Sequence, residues 1–349
     1  MRTKVTIIGL GRVGFKFGLD EMRVRPASHV ACYLESKSVD SIALCDSNLD
    51  TLTTALCKTD KLEKEIAAYD KYQIMLKEFQ PEIVSICSPT PTHAEIACAV
   101  ASSGSVKAIF LEKPIAQSLQ EADAIINACK SNGVRLTVNY TRRWSPLYRD
   151  VKSTLLREGL DIETIVGIHP GPLLRTGTHA TDLFNWLMID DPIEAQAIGC
   201  GHTNYLGTEN LSTEDLNISG VISYGDKEAV LLSGKQKPYV LFEVDIIGSN
   251  GRIRVSGNGT KAEYYKVAPS NRYENLNELY EATVQTVYER ENPLLRAISE
   301  VIERQQFISC TGQEARNALQ IALALHYSMT HQRPVKLTDV PLDYKVVSH

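Results

Sequence analysis

The sequence lacks long hydrophobic runs and blocks of like charge. No stretch of about 18 apolar residues occurs, so no segment is typical of a membrane-spanning helix. The first residues enter a strand pattern without the apolar core of a secretion signal, and we expect a cytoplasmic protein with no membrane partner. The formal net charge is -5 and the basic residues form no stripe, which disfavours nucleic acid as a partner.

The eight cysteines and eight histidines show no spacing typical of a metal site or a disulfide framework. Neither C-x-x-C nor H-x-x-x-H occurs. Several cysteines fall in apolar strand-like or helix-like runs, as is usual for reduced cysteines that pack as small hydrophobic residues. We therefore expect no metal ion and no disulfide.

What the sequence does contain is enough chain for two domains, with 349 residues of which 43% are hydrophobic. Strand and helix patterns alternate to about residue 140, which predicts a doubly wound parallel sheet of the Rossmann type. Strands then dominate and predict a large, open, mainly antiparallel sheet, followed by amphipathic helices. We predict an α/β protein with a dinucleotide-binding domain at 1–140 and a substrate-binding and oligomerisation domain at 141–349.

A glycine-rich motif follows the first predicted strand and precedes a helix-compatible segment. Gly9-x-Gly11-x-x-Gly14 permits a tight turn and a close backbone approach to a pyrophosphate at a helix N-terminus. A glycine-rich turn in another kind of α/β protein is the alternative. The candidate cofactor contacts here are Gly9, Gly11, Arg12, Val13 and Gly14.

Asp46 ends the second predicted strand, where a carboxylate would bind a ribose hydroxyl and repel a 2′-phosphate. NAD is therefore expected as the cofactor, and NADP is less favoured. Asp46 lies 32 residues after Gly14, so residues 15–38 should hold the first helix and an insertion around Arg23–Pro26. The alternative is an aspartate that only caps a helix or a turn.

Two polar loops follow later buried strands, where loops line the cofactor crevice of such sheets. Lys113 lies two residues after the apolar run 108–111, separated from it by Glu112, and Pro114 supports the end of the strand at this lysine. A surface lysine after an edge strand is the alternative for Lys113, and helix capping is the alternative for His93. The candidate cofactor contacts in these loops are Ser88, Pro89, Thr90, His93, Glu112 and Lys113.

Further along the chain, 139–144 reads N-Y-T-R-R-W and 177–182 reads G-T-H-A-T-D. With the motifs above, in this order and at these spacings, the chain closely resembles the glucose–fructose oxidoreductase, inositol dehydrogenase and rhizopine catabolism family (Gfo/Idh/MocA). The resemblance implies a Rossmann domain, a second α/β domain with a large open sheet, and NAD(P)-dependent hydride transfer at a CH–OH carbon of a sugar, polyol or sugar derivative. It makes Lys113 the active-site lysine and His179 the catalytic histidine. The implied substrate contacts are Lys113, Tyr140, Arg142, Arg143, Arg175 and His179.

One position departs from the family pattern. The family often has an aspartate four residues before the histidine, and here that residue is Arg175. An arginine there lowers the proton affinity of Lys113 and His179 and attracts anions, so Arg142, Arg143 or Arg175 would bind a phosphate or carboxylate of the substrate. The insertion near Arg23 and the stretch 171–177 resemble a subgroup found with surface-sugar biosynthesis, including enzymes of nucleotide sugars.

A second function is compatible with the same fold, since fold does not determine function. A regulator that binds dinucleotide and a protein partner without turnover would keep the Rossmann domain, but it would not need both Lys113 and His179. An open antiparallel sheet also leaves one broad face uncovered, and such a face is normally buried against something. We therefore expect a homodimer or homotetramer.

Overall fold

The fold was obtained as a computed structural model that describes residues 3–59, 64–188, 190–200, 214–234, 238–287, 292–303 and 308–348. The chain divides into two compact units. The first contains residues 1–144, 289–316 and 349, and the second contains residues 145–288 and 317–348. Among the described residues, no helix is long and apolar enough to cross a membrane.

The first unit is built on a six-stranded sheet in the order β3-β2-β1-β4-β5-β6, with every neighbouring pair parallel. This confirms the predicted parallel sheet. The four residues of β4 and of β5 are all buried, as expected for strands covered on both faces. The strands are β1 (Thr3–Ile8), β2 (Val39–Cys45), β3 (Glu65–Tyr69), β4 (Ile83–Ile86), β5 (Ala108–Leu111) and β6 (Arg135–Val138).

Five helices alternate with these strands. They are α1 (His29–Glu35), α2 (Leu49–Thr59), α3 (Tyr72–Glu78), α4 (His93–Ala101) and α5 (Leu119–Ser131). Ser28 caps α1 and Ser118 caps α5, each accepting a hydrogen bond from an amide three residues on, which fixes where these helices begin.

The first helix does not begin at the glycine motif, where the sequence suggested that it would. A short 3-10 helix covers Lys16–Leu19, and α1 begins only at His29. The insertion therefore separates the glycine motif from its helix. The start of α1 still bonds to the motif, because the amides of His29 and Val30 donate to the carbonyl oxygens of Val13 and Gly14, each at 3.0 Å.

The second unit is built on a nine-stranded sheet in the order β14-β13-β12-β11-β7-β10-β9-β8-β15. Among the strand pairs of the described residues, only β7–β10 is parallel, so the predicted, mainly antiparallel sheet is confirmed. Its strands are β7 (Ile162–Pro170), β8 (Glu194–Cys200), β9 (Ile218–Ser223), β10 (Glu228–Gly234), β11 (Glu243–Gly248), β12 (Gly251–Ser256), β13 (Lys261–Pro269), β14 (Asn277–Thr286) and β15 (Val335–Lys336).

The sequence analysis missed β14 and β15. The ten residues of β14 are mostly exposed and follow no apolar alternation, so the period-2 signal of a half-buried strand is absent. β15 has only two residues, and its pairing with β8 is a long-range contact that local sequence does not encode.

Alternation along the central strands gives this sheet one buried face and one outer face. Ile165, Leu231 and Ile246 are fully buried on the inner face. On the outer face, Val166 stands between Val230 and Asp245, and Ile168 stands between Leu232 and Glu243. Leu232 is 38% exposed. The outer face therefore has an apolar centre beside a charged flank. Its central apolar residues are Val166, Ile168, Val221, Val230 and Leu232.

The second unit contains the helices α6 (Pro146–Glu158) and α7 (Thr178–Leu187). Two more helices lie near the end of the chain, α8 (Pro293–Glu303) and α9 (Gly312–His331). The division between units falls within α9 and assigns α8 to the first unit. The apolar stripe of α9 predicted as core is fully buried. The stripe consists of Ala315, Ala318, Leu319, Ala322 and Leu323.

We predicted that all residues after 140 belong to the second domain. The segment around α8 instead packs within the first unit. Trp144 Nε1 donates to Glu300 Oε2 at 2.9 Å, and the amide of Val138 donates to the carbonyl oxygen of Cys310 at 3.1 Å. Arg316 forms a two-point ion pair with Asp123 of α5. These contacts join residues far apart in sequence, so composition and periodicity did not reveal them.

Candidate active site

The glycine motif has the shape that a dinucleotide pyrophosphate needs. Gly9 has φ +91°, and a Cβ there would lie 2.6 Å from the amide nitrogen of Ser88. A Cβ on Gly14 would lie 2.0 Å from the carbonyl oxygen of Gly9. A Cβ on Gly11 would meet no atom within 4 Å, so open space lies above this residue. The residues therefore fit a cofactor that approaches the backbone at Gly11.

Asp46 is fixed beside this motif by its own hydrogen bonds. Its Oδ2 accepts from the amide of Leu10 at 2.7 Å, and its Oδ1 accepts from the amide of Asn48 at 2.8 Å. Gly9, Asp46, Ser88 and Pro89 line one cavity of about 360 Å³. The structure thus brings together four of the residues predicted to bind the cofactor.

The same cavity has polar lining residues that the sequence analysis did not name. Asp70 follows β3 and Tyr72 begins α3, while Glu95 lies in the first turn of α4. Tyr72 donates to Glu95 Oε1 at 2.8 Å. Burial and this hydrogen bond raise the pKa of Tyr72 to about 12. Position at the carboxyl end of a strand, the signal that identified Asp46, could also have identified Asp70.

Other predicted cofactor residues lie outside this cavity lining. Arg12 is exposed, and Val13 uses its carbonyl oxygen to accept from the start of α1. Thr90 is 9% exposed and begins a short 3-10 helix.

His93 is 1% exposed, and its ring nitrogens lie 3.0 Å from the carbonyl oxygens of Pro114 and Ser88. Burial lowers the pKa of His93, against the effect of these two backbone contacts. The His93 ring therefore links the loop after β4 to the loop after β5. We predicted a direct contact between His93 and the cofactor, and this geometry instead favours a role in supporting the two loops.

Glu112 and Lys113 follow β5 directly, and Glu112 is held in a buried network. Its Oε1 lies 2.9 Å from His29 Nε2 and accepts from Asn139 Nδ2 at 2.6 Å. Burial would raise the pKa of the Glu112 carboxyl, but the contacts with His29 and Asn139 and the charge of Lys113 hold it below its usual range. Glu112 is therefore an internal anion beside Lys113.

The structure also groups three potential metal ligands that sequence spacing did not reveal. One ligand atom from each of His29, Cys87 and Glu112 lies within 4.8 Å of the others. Burial, and after it the charge of Glu112, raise the pKa of the Cys87 thiol well above its usual range. The 2.9 Å contact from His29 to Glu112 is a hydrogen-bond distance.

Tyr140 and Arg143 were expected to bind substrate, and both are buried. Tyr140 is fully buried, and Arg143 is 1% exposed. Arg143 forms an ion pair with Glu314 and donates to the carbonyl oxygen of Ser309 at 3.0 Å. These contacts engage its guanidinium in the fold of the first unit. Arg142, half-buried, and Arg175, exposed, are better placed to bind an anionic group.

In the second unit, a π-helical turn at Leu173–Gly177 leads directly into α7 and positions His179. The His179 ring is half-buried and meets Phe242 edge-on, with ring centroids 6.5 Å apart. Asp182, one turn later, is 1% exposed.

Asp215 holds this turn in place, and the sequence analysis did not identify it. Its two carboxylate oxygens accept from the amides of Leu174 at 2.7 Å and Arg175 at 2.9 Å. Asp215 lies 40 residues after Arg175 in the chain, so no local pattern links the two. His169 lies beneath the turn, and a Cβ on Gly177 would stand 3.0 Å from its Nε2.

Comparison with known proteins gives one match to a family model. Residues 3–140 match the oxidoreductase family with an NAD-binding Rossmann fold, Gfo/Idh/MocA.

Two curated relatives illustrate the similarity. The oxidoreductase YrbE of Bacillus subtilis is 26% identical over 284 residues, covering 76% of this chain and 81% of that protein. An inositol 2-dehydrogenase of Salmonella typhimurium is 27% identical over 204 residues, covering 55% of this chain and 56% of that protein. The match thus spans little more than half of the inositol dehydrogenase.

Solved structures share the fold over nearly the whole chain. The WlbA dehydrogenase of Bordetella pertussis, in complex with NADH and UDP-GlcNAcA, has a TM-score of 0.73 and 17% identity. The superposition covers 98% of this chain and 100% of WlbA. At this identity the likeness establishes the fold.

Proposed function

Because residues 3–140 match the Gfo/Idh/MocA family of NAD-binding oxidoreductases, we propose that the chain transfers a hydride between NAD and a CH–OH carbon of a sugar, polyol or nucleotide sugar. The relatives support this class of substrate, since one is named an inositol 2-dehydrogenase. NAD is preferred to NADP in this proposal because the Asp46 carboxylate would repel a 2′-phosphate.

The observation that carries the proposal is the position of four residues, after three strands, at one edge of the first sheet. Gly9 follows β1, Asp46 follows β2, and Glu112 with Lys113 follows β5. Since these strands are parallel, their carboxyl ends meet at that edge, where ligands of doubly wound sheets bind. A cationic residue thereby joins the cofactor-binding residues within one unit.

Gly9, Gly11 and Asp46 would hold NAD, which when bound would supply the hydride chemistry of the proposed reaction. Lys113 stabilises the negative charge that develops on the substrate oxygen. His179 takes the hydroxyl proton during oxidation and returns it during reduction. Removing either side chain should therefore slow the reaction while Gly9, Gly11 and Asp46 remain in place to bind the cofactor.

We also propose that the substrate carries an anionic group and that Arg142 or Arg175 binds it. A guanidinium binds phosphate and carboxylate oxygens through paired donors. The complex of WlbA with UDP-GlcNAcA makes nucleotide sugars with a carboxylate reasonable substrates to test. A role in surface-sugar biosynthesis is the finer form of this proposal.

The first experiment is a substrate screen with purified protein and NAD. Formation of NADH is followed by absorbance while inositols, free sugars and UDP-sugars are added singly. We expect turnover with at least one of these classes. Binding of NADH without turnover across the whole panel would contradict the proposal and favour a dinucleotide-binding regulator.

The second experiment tests the two reactive residues. Lys113→Ala should lose about 3 kcal/mol of transition-state stabilisation, about a hundredfold in rate, with little change in NAD affinity. His179→Ala should lose most rate where a neutral imidazole is needed and less at high pH, where hydroxide can replace it. Lys130→Ala, an exposed lysine on α5, is the matched control. Near-normal rates in both active-site variants would refute these assignments.

We propose that the outer face of the second sheet forms a homodimer or homotetramer in the cytoplasm. The apolar centre defined above supports this proposal, because apolar sheet faces are normally covered. Light scattering should show an oligomer at micromolar concentration, and Leu232→Glu should shift it towards monomer. A monomeric wild type, or a Leu232→Glu variant with the same mass as a wild-type oligomer, would contradict the proposal. Cell fractionation separately tests the cytoplasmic location.

A further inference from the structure

A chain of buried polar groups runs from α1 to the residue before Lys113. Tyr33 Oη lies 2.8 Å from Ser85 Oγ, which lies 3.0 Å from His29 Nδ1. His29 Nε2 in turn lies 2.9 Å from Glu112 Oε1. His29 and Tyr33 are both fully buried, so this chain is shielded from solvent. It joins α1, β4 and the end of β5.

Each hydrogen-bond donor of this chain, from Tyr33 to His29, can face an acceptor, ending at Glu112 Oε1. In an assignment of hydrogens that fits these distances, the hydroxyl of Tyr33 donates to Ser85, the hydroxyl of Ser85 donates to Nδ1 of His29, and Nε2 of His29 carries a proton. Nε2–H then donates to Glu112. Burial raises the pKa of Tyr33, so it stays a hydroxyl donor. A fully satisfied buried network of this kind holds its members in one arrangement.

The insertion between the glycine motif and α1 determines which residue of α1 lies beside Glu112. Residues 15–28 delay the start of α1, so that His29 becomes its first residue. The ring then lies beside Phe110 of β5, with centroids 5.1 Å apart, as well as against Glu112. Without the insertion, α1 would begin at the glycine motif, and a different residue would face Glu112.

We propose that His29 is a positioning residue that acts through Glu112 to fix the place and charge environment of Lys113. The inference rests on the proposed function, since Lys113 is the residue it serves. Asn139 holds the same Glu112 oxygen from β6, at 2.6 Å. The carboxylate is thus held from two sides, and the backbone that it shares with Lys113 is held with it. Because small displacements of a reacting group cost large factors in rate, this fixation matters for turnover.

The test measures Lys113 directly, without a substrate. Competitive acylation of lysines, followed by peptide mass spectrometry across a pH series, reports the pH at which Lys113 becomes reactive. In Glu112→Gln the neighbouring negative charge is gone, so the Lys113 profile should move to lower pH by about one unit. In His29→Leu the carboxylate loses a hydrogen-bond donor, so more of its negative charge acts on Lys113 and the profile should move to higher pH. Opposite shifts are not expected from a general loss of packing.

Steady-state rates provide the second readout. His29→Leu and Glu112→Gln should lower kcat about tenfold to a hundredfold, with KM for NAD changed less than about threefold. His29→Gln keeps an N–H that can donate to Glu112, and it should recover most of the rate. His331→Gln, on an exposed histidine that ends α9, is the control and should match wild type in both readouts.

Each outcome separates this inference from the proposed function. Lys113 profiles that match wild type in Glu112→Gln and His29→Leu would overturn the positioning role even if the enzyme turns over. If His29→Leu does not fold, an unshifted profile in Glu112→Gln alone is sufficient to overturn it. Shifted profiles in a protein that oxidises no alcohol would support the positioning role and reject the proposed function.

Discussion

The two units place their candidate reactive residues by different means. In the first unit, Gly9, Asp46 and Lys113 each follow the end of a parallel strand, so the topology of the sheet alone brings them to one edge. In the second, His179 depends on a π-helical turn that a carboxylate 40 residues after Arg175 holds in place. In a parallel sheet, residues that follow different strands lie at the same edge, so their place in the site follows from their place in the chain. In the antiparallel unit, a specific long-range contact is needed to position His179.

The largest expected effect tests the backbone cradle of the first unit. Gly14→Ala places a Cβ 2.0 Å from the carbonyl oxygen of Gly9, so we expect a loss of about 3 kcal/mol or more in the free energy of unfolding and no NAD binding. Gly11→Ala meets no protein atom within 4 Å and should change stability by less than about 0.5 kcal/mol while still weakening NAD binding. Denaturant unfolding and NADH fluorescence titration measure both quantities.

A matched variant extends this test to the second unit. Gly248→Ala places a Cβ 2.3 Å from the carbonyl oxygen of Asp161, so it should also destabilise the protein. NADH affinity of the folded protein should stay unchanged, because Gly248 belongs to β11. Equal losses of NADH affinity in Gly248→Ala and Gly11→Ala would contradict the assignment of the cofactor cradle to the first unit.

The next effect tests the long-range contact of the second unit. Asp215→Ala removes the acceptor for two backbone amides of the turn before α7, and we expect a loss of about 2 kcal/mol in the free energy of unfolding. Turnover should fall as well, because His179 loses its support. Urea unfolding and hydrogen exchange at Leu174 and Arg175 measure these changes, with Asp226→Ala as the control. Unchanged hydrogen exchange at both amides would mean that the turn is stable without Asp215, which would contradict this prediction.

A smaller effect concerns the choice of cofactor in the first unit. Asp46→Ala removes the carboxylate that should favour the ribose hydroxyl, so the preference for NAD over NADP should narrow by about tenfold, or about 1.4 kcal/mol. Calorimetric titration of both nucleotides measures the ratio. The variant also loses the acceptor for the amide of Leu10, so Asp46→Asn distinguishes charge from hydrogen bonding. Tighter binding of NADP than NAD by the wild-type protein would contradict the assignment.

The smallest effect is a difference in acid sensitivity between the units. Burial would raise the pKa values of Glu112 and Glu314, but their hydrogen bonds and cationic partners lower them overall. A carboxyl with a lowered folded pKa adds stability above its unfolded value, about 4.3, and this stability is lost as pH falls through the folded value. In the second unit, the pKa of Glu158 is also lowered, chiefly by its hydrogen bond with Arg157, but Glu158 is exposed and screened by solvent.

We therefore expect acid to weaken the first unit before the second. Hydrogen exchange measured from pH 5 to pH 3 should show earlier loss of protection in β5 and β6 than in β7 and β10. Glu314→Gln removes one of the two carboxyls with a lowered pKa in the first unit. The difference in acid sensitivity between the two units should then shrink by a few tenths of a kcal/mol. Simultaneous loss of protection in both sheets would contradict the expectation.

The sequence by itself determined the order of strands in the first unit, most of the strands of the second, and most of the residues at the strand ends of the first. Apolar runs and the glycine motif are local signals, and in a parallel sheet a residue after a strand reaches the ligand edge wherever its partners lie in the chain. The motif at Gly177–Asp182 likewise identified α7 and His179, although the reason for their geometry lies elsewhere in the chain.

Only the tertiary structure decided which polar side chains are available to a ligand and which hold the fold. Arg142 and Arg143 are adjacent in sequence, yet Arg143 is buried on Glu314, 171 residues away. His29 begins α1 in a stretch with no motif, and its ring contacts Glu112 only because α1 packs along the sheet. Asp215 reaches the turn before α7 for the same kind of reason. Burial and pairing are set by partners distant in sequence, and local patterns carry no information about them.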